Sequence, residues 1–568
     1  MISSQYKLLF VFCHFLIACF NLKAQKIEWI KQIKGSSAEI SSQIVADASG
    51  NTYTAGEFRG TVDFDPGPGV FNISATQSDI FLLKLDPNGK FLWVKQFKGT
   101  NNSYVNSIVL DKSGFVYLAG IFYETVDFDP GLGSYTLSSA GEQDAFYVKL
   151  DTSGNFNWAH QIGAAKTDQA KEITIDRAGN MYVTGRFTDT VDFNPDTAVN
   201  NLTSRTFWNM FVLKLSASGK FVWVRQFDNC FEDNCIIDSL GNVYTAGSFY
   251  NTVDFDPGNA TYNITSNGYK DVFILKLDSF GNFVWVKCLG GLGEDVAFVF
   301  RADATGNLYI VGAFDETMDF DPSAGVFNLK SFGSWDMFVL KLKASGDFTW
   351  AKQMGGKFTD RANAMHVDPN GNIYITGEFQ KTADLDPGTG VFIVNTYKSE
   401  NLYDEFVLKL GATGNFLWAK KISGASEEEA NAIYSDASGT VYLAGYFEGT
   451  VNFDSTAGNI INLVSSGNND GFICKLGNKT SDINDINQEI KGYSIYPMPN
   501  HGLFSLVFSG HLTGIYIEVY NSLGDMIYSE SDIKEINAIN LQNQVNGLYV
   551  LRILDSSGRI HTENIVKY

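Results

Sequence analysis

The chain has 568 residues and a formal net charge of −21, from 63 acidic against 42 basic side chains. Such acidity repels nucleic acid and anionic membranes unless a basic patch intervenes, and no Lys/Arg cluster occurs in the sequence. Hydrophobic residues make up 44% and charged ones 18%, with 54 Gly and 45 Phe, which fits many short strands joined by glycine turns and excludes a protein of long amphipathic helices.

Residues 1–24 have the pattern of a secretory signal: Lys7, an apolar run from Leu8 to Phe20, and a small residue, Ala24, at a cleavage point. The run is too short to span a bilayer stably, so no transmembrane segment is expected in the mature chain. Leu16-Ile17-Ala18-Cys19 offers a second processing mode, with a lipid on Cys19. Removing the signal leaves Cys230, Cys235, Cys288 and Cys474 in an oxidising compartment. Cys230 and Cys235 could bridge locally, whereas Cys288 and Cys474 occupy strand positions and are expected as small buried residues. The spacing fits no zinc ligand set, and only His160 and His366 lie between the signal and residue 490.

From residue 25 to 476 the chain repeats. Tyr-x-x-Gly-x-Phe places Gly56, Gly120, Gly185, Gly247, Gly312, Gly377 and Gly445 at spacings of 62 to 68 residues. Each copy carries four strand-like runs, such as Ser107 to Leu110, Val116 to Phe122, Ala145 to Leu150 and Phe156 to Ile162, and four strands make one propeller blade. An Asp-x-x-Gly turn joins the first two runs, from Asp47/Gly50 to Asp436/Gly439, and a similar turn such as Asp86-Pro87-Asn88-Gly89 joins the last two. Gly supplies positive φ and Asp accepts backbone N–H groups, so these acids are structural. Runs such as Phe91-Leu92-Trp93-Val94 are apolar on both faces, as stacked blades require.

Seven Lys-Leu pairs mark the third strands, from Lys84 to Lys475, but only six fourth-strand Trp residues follow them. The seventh is Trp29, so the N-terminal strand is expected to complete the last blade and close the ring, which removes a sheet edge. The predicted fold is all-β: a seven-bladed propeller over 25–476, a polar linker over 477–492 and a small β-sandwich-like domain over 493–568.

Motifs such as Asp111-Lys112-Ser113-Gly114 and Trp93-Val94-Lys95-Gln96 resemble the SBBP family of bacterial β-propeller repeats, which implies fold and not activity. Beyond Lys491, Tyr496-Pro497-Met498-Pro499-Asn500-His501-Gly502-Leu503-Phe504, Val519-Tyr520-Asn521-Ser522-Leu523-Gly524 and Asn546-Gly547-Leu548-Tyr549-Val550 resemble the type A C-terminal sorting domain of the type IX secretion system. Met498 stands where that family most often has Asn. The resemblance implies export across the outer membrane of Bacteroidota-like bacteria, with the secretion machinery as partner, cleavage of the tail, and a secreted or cell-surface location.

Thr-Val-Asp-Phe-Asp-Pro recurs after the second strand, from Asp63/Asp65 to Asn452/Asp454. Paired oxygens two residues apart suit turn capping, with Ca²⁺ ligation as the alternative; no other cofactor or metal is expected. The third-strand Lys residues need partners if buried, and a recurring Asp is the expected one. A Ser/His/Asp triad would have to use His160 or His366, neither of which accompanies a nucleophile motif. Glu294/Asp295 and Glu427 to Glu429 stand out only by irregularity. No catalytic residue is therefore expected, and the chain is taken as a binding module for a glycan or surface protein, the alternative being a polysaccharide-acting enzyme with a carboxylate pair. Both Asp-x-x-Gly turns fall on one short, uniform face, so binding is expected on the opposite face. There Trp208, Trp335 and Tyr403 precede the third strand where other repeats have no large aromatic.

Overall fold

The computed structural model describes residues 25–397, 403–424, 426–453, 461–477, 493–496, 502–508, 516–521, 526–531, 533–534, 536–554 and 560–567. The expected signal at 1–24 and, apart from Gly477, the expected linker at 477–492 lie outside them. Every named element is a β-strand, and the chain divides into two compact units, one up to residue 478 and one from 479 onward.

In the first repeat the strands Glu39–Ala46, Thr52–Asp63, Asn72–Leu85 and Phe91–Gly99 pair antiparallel in that order. The turn chemistry explains why the chain reverses where it does. Asp47 Oδ1 accepts the Ser49 and Asn51 N–H groups at 2.9 and 3.0 Å, and Gly50 sits at φ 81°. The same device recurs up to Asp436, whose Oδ1 accepts the Ser438 and Thr440 N–H groups at 2.9 and 3.0 Å. Apolar residues of neighbouring repeats share cores: Ala55 and Leu82 pack in one cluster with Leu118, Phe146 and Val148. Both faces of the central strands are thereby removed from water.

Glu428–Ser435, Val441–Asn452 and Asn462–Gly477 pair in order, and the fourth place beside Asn462–Gly477 is taken by Lys26–Gly35, with Trp29 opposite Lys475. The seven first strands neighbour one another in chain order, and Glu428–Ser435 also neighbours Glu39–Ala46.

Three features differ from expectation. The connection from second to third strand is not a plain loop. It holds a small hairpin such as Thr382–Asp384 with Ile393–Asn395, which also pairs with the preceding fourth strand through Gly355 and Gly356. A Cβ on Gly356 would collide with the Thr382 carbonyl, so the backbones meet only because a glycine is there. The third-strand lysines take a tyrosine ring as a recurring partner besides the expected Asp, which is the turn Asp of the same repeat: Lys276 Nζ lies 4.0 Å from Asp238 Oδ2, and Asp111, Asp176, Asp303 and Asp368 act on Lys149, Lys214, Lys341 and Lys409. Lys84, Lys276 and Lys341 hold Nζ 4.5, 4.6 and 4.8 Å from the ring centres of Tyr53, Tyr244 and Tyr309. Those lysines are half-buried, and Lys84 and Lys341 also donate to the carbonyls of Thr152 and Ala412 at 3.3 and 3.2 Å. Cys230 and Cys235 are buried and are not bridged to each other. Both lie on the strand Cys230–Ile237 opposite Phe249 and Thr245, so the extended chain between them holds their sulfurs apart.

The described residues of the C-terminal unit form two sheets. Leu503–Phe508 lies between Tyr493–Tyr496 and Ile536–Asn540, while Tyr516–Tyr520 and Gly547–Leu554 lie between Met526–Glu530 and Ile560–Lys567. Phe504, Leu506 and Ile539 from the first sheet share a core with Val519, Leu551 and Ile553 from the second.

Candidate functional site

Every first strand carries a β-bulge near its middle, for example between Val105 and Ser107 and between Ala297 and Val299. A bulge re-aims the side chains beside it. Residues at or beside the bulges of six repeats, Gln43, Asn106, Lys171, Asn234, Phe298 and Asn363, line a cavity of 280 Å³. Some of these amides hold repeats together: Asn106 Nδ2 donates to the Ala170 carbonyl at 2.7 Å and Asn234 Nδ2 to the Phe298 carbonyl at 3.0 Å. Arg301 and Glu172, from repeats that are not adjacent, join in the same cavity wall at 2.8 Å. Burial raises the Glu172 carboxyl above its usual range, and the Arg301 charge opposes that rise.

One repeat departs from the others beside this cavity. Arg361, Glu378 and Glu405 lie opposite one another on three consecutive strands. The equivalent rows are Ile40, Glu57, Ile80 and Val296, Ala313, Met337 in two other repeats. Arg361 Nε donates to Glu378 Oε1, and its guanidinium lies 5.7 Å from the Tyr403 ring centre. Glu405 is 1% exposed. Its Oε1 accepts Asn363 Nδ2 at 3.1 Å, while Oε2 has no well-formed hydrogen bond. Burial, with Glu378 and Glu429 nearby, holds the Glu405 carboxyl well above the usual range. Glu429 is also raised, chiefly by burial, and accepts the Tyr446 hydroxyl at 2.9 Å. Asn363 belongs both to this cluster and to the cavity wall.

A second set of acids lies between repeats. In five repeats the acid that opens the third strand meets an acid at the start of the next first strand: Asp144 with Asp168, Asp271 with Asp295, Asp336 with Asp360, Asp404 with Glu428, and Asp470 with Glu39. All ten are buried. Burial first, and the facing charge second among the raising causes, push Asp168 and Asp295 to about 7 and Asp360, Glu428 and Glu39 to about 8. Asp336 Oδ1 and Asp360 Oδ2 crowd the space above Gly355, lying 3.0 and 2.9 Å from where a Cβ would stand. These pairs are not visible in the sequence, because the two members of each come from different repeats.

Trp208, Trp335 and Tyr403 are all half-buried and stand in three repeats, and no described ring contact joins any two of them. Trp208 packs edge-on to Phe207 at 5.7 Å, and Phe207 is 81% exposed. The Trp335 carbonyl accepts the Asp360 N–H at 2.8 Å. Tyr403 alone of the three joins a charged cluster. Glu294 pairs with Lys270 at 2.8 Å. In the Asp-Phe-Asp-Pro loops, Asp63 Oδ1 accepts the Asp65 and Phe71 N–H groups at 3.1 and 2.8 Å, and the next five copies, from Asp127 to Asp384, repeat both contacts with the same residue spacing. This is turn capping; Asp454 lies outside the described residues. Among the described residues no group of three or more His, Cys, Asp or Glu is placed to hold a metal. His160 packs on Trp158. His366 Nδ1 meets Ser435 Oγ at 2.8 Å, but Ser435 is 2% exposed and offers no accessible nucleophile.

Comparison with known proteins bears on both units. Residues 494–567 match the family model of the secretion system C-terminal sorting domain, and residues 157–186 and 349–378 match that of the beta-propeller repeat. The chain therefore carries propeller repeats and a type IX sorting tail, which directs it to the cell surface or beyond. An uncharacterized WD repeat-containing protein of Acanthamoeba polyphaga mimivirus is 22% identical over 65% of this chain and 32% of its own length. The regulatory protein FlaEY of Caulobacter vibrioides is 26% identical over 30% of this chain and 18% of its own. The chain thus spans a third or less of either relative. Among solved structures, Sqt1 from Chaetomium thermophilum aligns over 80% of this chain and 99% of its own at 9% identity and a TM-score of 0.36. The extracellular domain of a hybrid two component system from B. thetaiotaomicron aligns over 95% and 99% at 12% identity and a TM-score of 0.17. At such scores neither carries a functional argument.

Proposed function

We propose that this chain is an exported seven-bladed β-propeller, closed by its N-terminal strand, that acts outside the cell as a binding module for a glycan or a surface protein. Residues 1–24 serve as its signal peptide, 25–476 as the propeller, 477–492 as a linker and 493–568 as the tail handed to the type IX machinery. One observation carries the reading: seven first strands neighbour one another in cyclic order, and six of them contribute to a polar cavity. Concave sites with a few placed polar groups are where small ligands bind. A glycan and protein-partner array probed with the exported protein tests it. A retained ligand is expected, and a properly folded protein that retains nothing overturns the reading. Trp208, Trp335 and Tyr403, being half-buried in separate repeats, would contribute as edges of a broad surface and not as one pocket. A folded triple alanine variant with undiminished affinity would remove them from the binding surface.

A second reading, a polysaccharide-acting enzyme, is favoured by the row Arg361, Glu378, Glu405. A carboxyl pushed up by burial close to a second carboxyl that pairs with an arginine puts two carboxyls in unlike surroundings, as glycoside hydrolysis uses them. Hydrolysis of a polysaccharide by the wild type, lost in Glu405→Gln, would support it. A Glu405→Gln variant as active as wild type would end it.

A further inference from the structure

In the seam between the fifth and sixth repeats two buried carboxyls border one small space. Asp336 is 0% exposed and Asp360 2%. Asp336 Oδ2 accepts the Phe332 N–H at 2.8 Å and Gln353 Nε2 at 2.6 Å, while Asp360 accepts the Gly356 N–H at 2.7 Å on Oδ2 and the Gln380 N–H at 3.3 Å on Oδ1. Asp336 Oδ1 keeps no hydrogen bond. It faces the space above Gly355, where the three atoms nearest to the place of a Cβ all belong to these two carboxyls. Glycine leaves that space open. Neither acid has an ion pair among the described residues, and buried carboxylates are as a rule paired or bound to a metal. The next seam shows what such a pair accepts. Asp404 and Glu428 hold the equivalent places there, and Lys421, opposite Phe406, stands where Gln353 stands opposite Phe338. Lys421 Nζ lies 3.3 Å from Asp404 Oδ2, and its charge also acts on Glu428. Lysine fits the place of glutamine: Lys421 Nζ and Gln353 Nε2 each also donate to a hairpin carbonyl at 2.8 Å, those of Asn395 and Lys330. One seam thus carries its own cation, and the seam of Asp336 and Asp360 has a neutral amide in its stead.

We propose that Ca²⁺ binds in this seam, bridging Asp336 of the fifth repeat to Asp360 of the sixth, as Lys421 bridges the acids of the next. Two carboxyls select a hard cation, and Ca²⁺ tolerates irregular oxygen shells where Mg²⁺ demands an octahedron. The site is separate from the Asp-Phe-Asp-Pro loops, whose first acids cap their own turns, and it does not depend on the binding-module reading. Asp144 and Asp168 form a seam of the same kind: Asp144 Oδ1 keeps no hydrogen bond and Gln161 Nε2 donates to Asp144 Oδ2 at 3.2 Å. In the metal-free protein a proton relieves the pair, and burial with the Asp336 charge pushes Asp360 up to about 8.

Calorimetric titration of the full chain, stripped with a chelator and held at pH 8.5, with CaCl₂ and with MgCl₂ tests the proposal. Ca²⁺ is expected to bind at least tenfold more tightly than Mg²⁺ and to raise the melting temperature of the stripped chain. Gln353→Lys is expected to bind one Ca²⁺ fewer than the wild type and, without calcium, to melt higher than the stripped wild type, because the lysine supplies the missing charge. Asp336→Asn is likewise expected to bind one fewer. Absence of Ca²⁺ binding at about 10 mM, above the ~10⁻⁴–10⁻³ M range of extracellular calcium modules, overturns the proposal without recourse to any variant and leaves a proton as the sole occupant. A folded Gln353→Lys or Asp336→Asn variant that binds as many Ca²⁺ as the wild type also overturns it, as does equal affinity for Mg²⁺.

Discussion

The paired acids between repeats set the pH response of the molecule. A carboxyl whose folded pKa lies above its unfolded value keeps its proton in the native state over a range where the unfolded chain has released it. Stability then falls as pH rises through that range. Asp168 and Asp295 sit at about 7, and Asp360, Glu428 and Glu39 at about 8, against unfolded values near ~4. The melting temperature is accordingly expected to be lower at pH 8.5 than at pH 5.5. Asp360→Asn, which removes one member of a pair, should flatten that slope, and a slope unchanged in the variant would show that this pair does not set it. Little of this was legible in the sequence. Asp336 and Asp360 are 24 residues apart and Asp470 and Glu39 are 431 apart, and only the stacking of repeats makes either a pair. Glu405 is a different case. It replaces an apolar residue at the position held by Ile80, Val272 and Met337, so aligning the repeats one residue past the recurring Asp would have exposed it.

At the scale of strands, spacing and turn chemistry were readable because each repeats in one dimension. The Asp-x-x-Gly turns, the Lys-Leu strands and the Trp strands all lie where their spacing puts them, and Lys26–Gly35 pairs beside Asn462–Gly477 as the missing Trp implies. The small hairpins were not readable, because three-residue strands such as Thr382–Asp384 are too short to show a period. The bulges escaped notice for a related reason: an extra residue shifts the alternation on which the pattern depends. Trp29 tests the joint. Its Nε1 donates to the Pro87 carbonyl at 3.1 Å, and its ring lies 3.0 Å from where a Gly89 Cβ would stand. Its half-burial places the cost of Trp29→Ala below the full-core range, at about 2 kcal/mol of unfolding free energy. Chemical denaturation measures this, and a loss indistinguishable from zero would mean that the strand is not held through its tryptophan.

At the scale of the whole chain, repeats and tail are separately satisfied. The last strand of the repeat unit, Asn462–Gly477, finds its partners in Val441–Asn452 and Lys26–Gly35, both within that unit. The sheets of the tail pair only among themselves, around Phe504, Val519 and Leu551. Removing the tail therefore breaks none of the described strand pairings of the repeats. If the tail is cut off after export, the repeats need this independence, and it leads to an expected outcome. The mature protein should be found outside the outer membrane without its last ~75 residues, the typical length scale of a small domain, and should melt at the same temperature as the uncut chain. A variant lacking residues 494–568, the matched tail and its last residue, should fold but accumulate in the periplasm. Mass spectrometry of surface, medium and periplasmic fractions measures all of this. An intact C-terminus as the sole extracellular species, or export of the truncated variant at the wild-type level, would show that the tail is not what carries the repeats across.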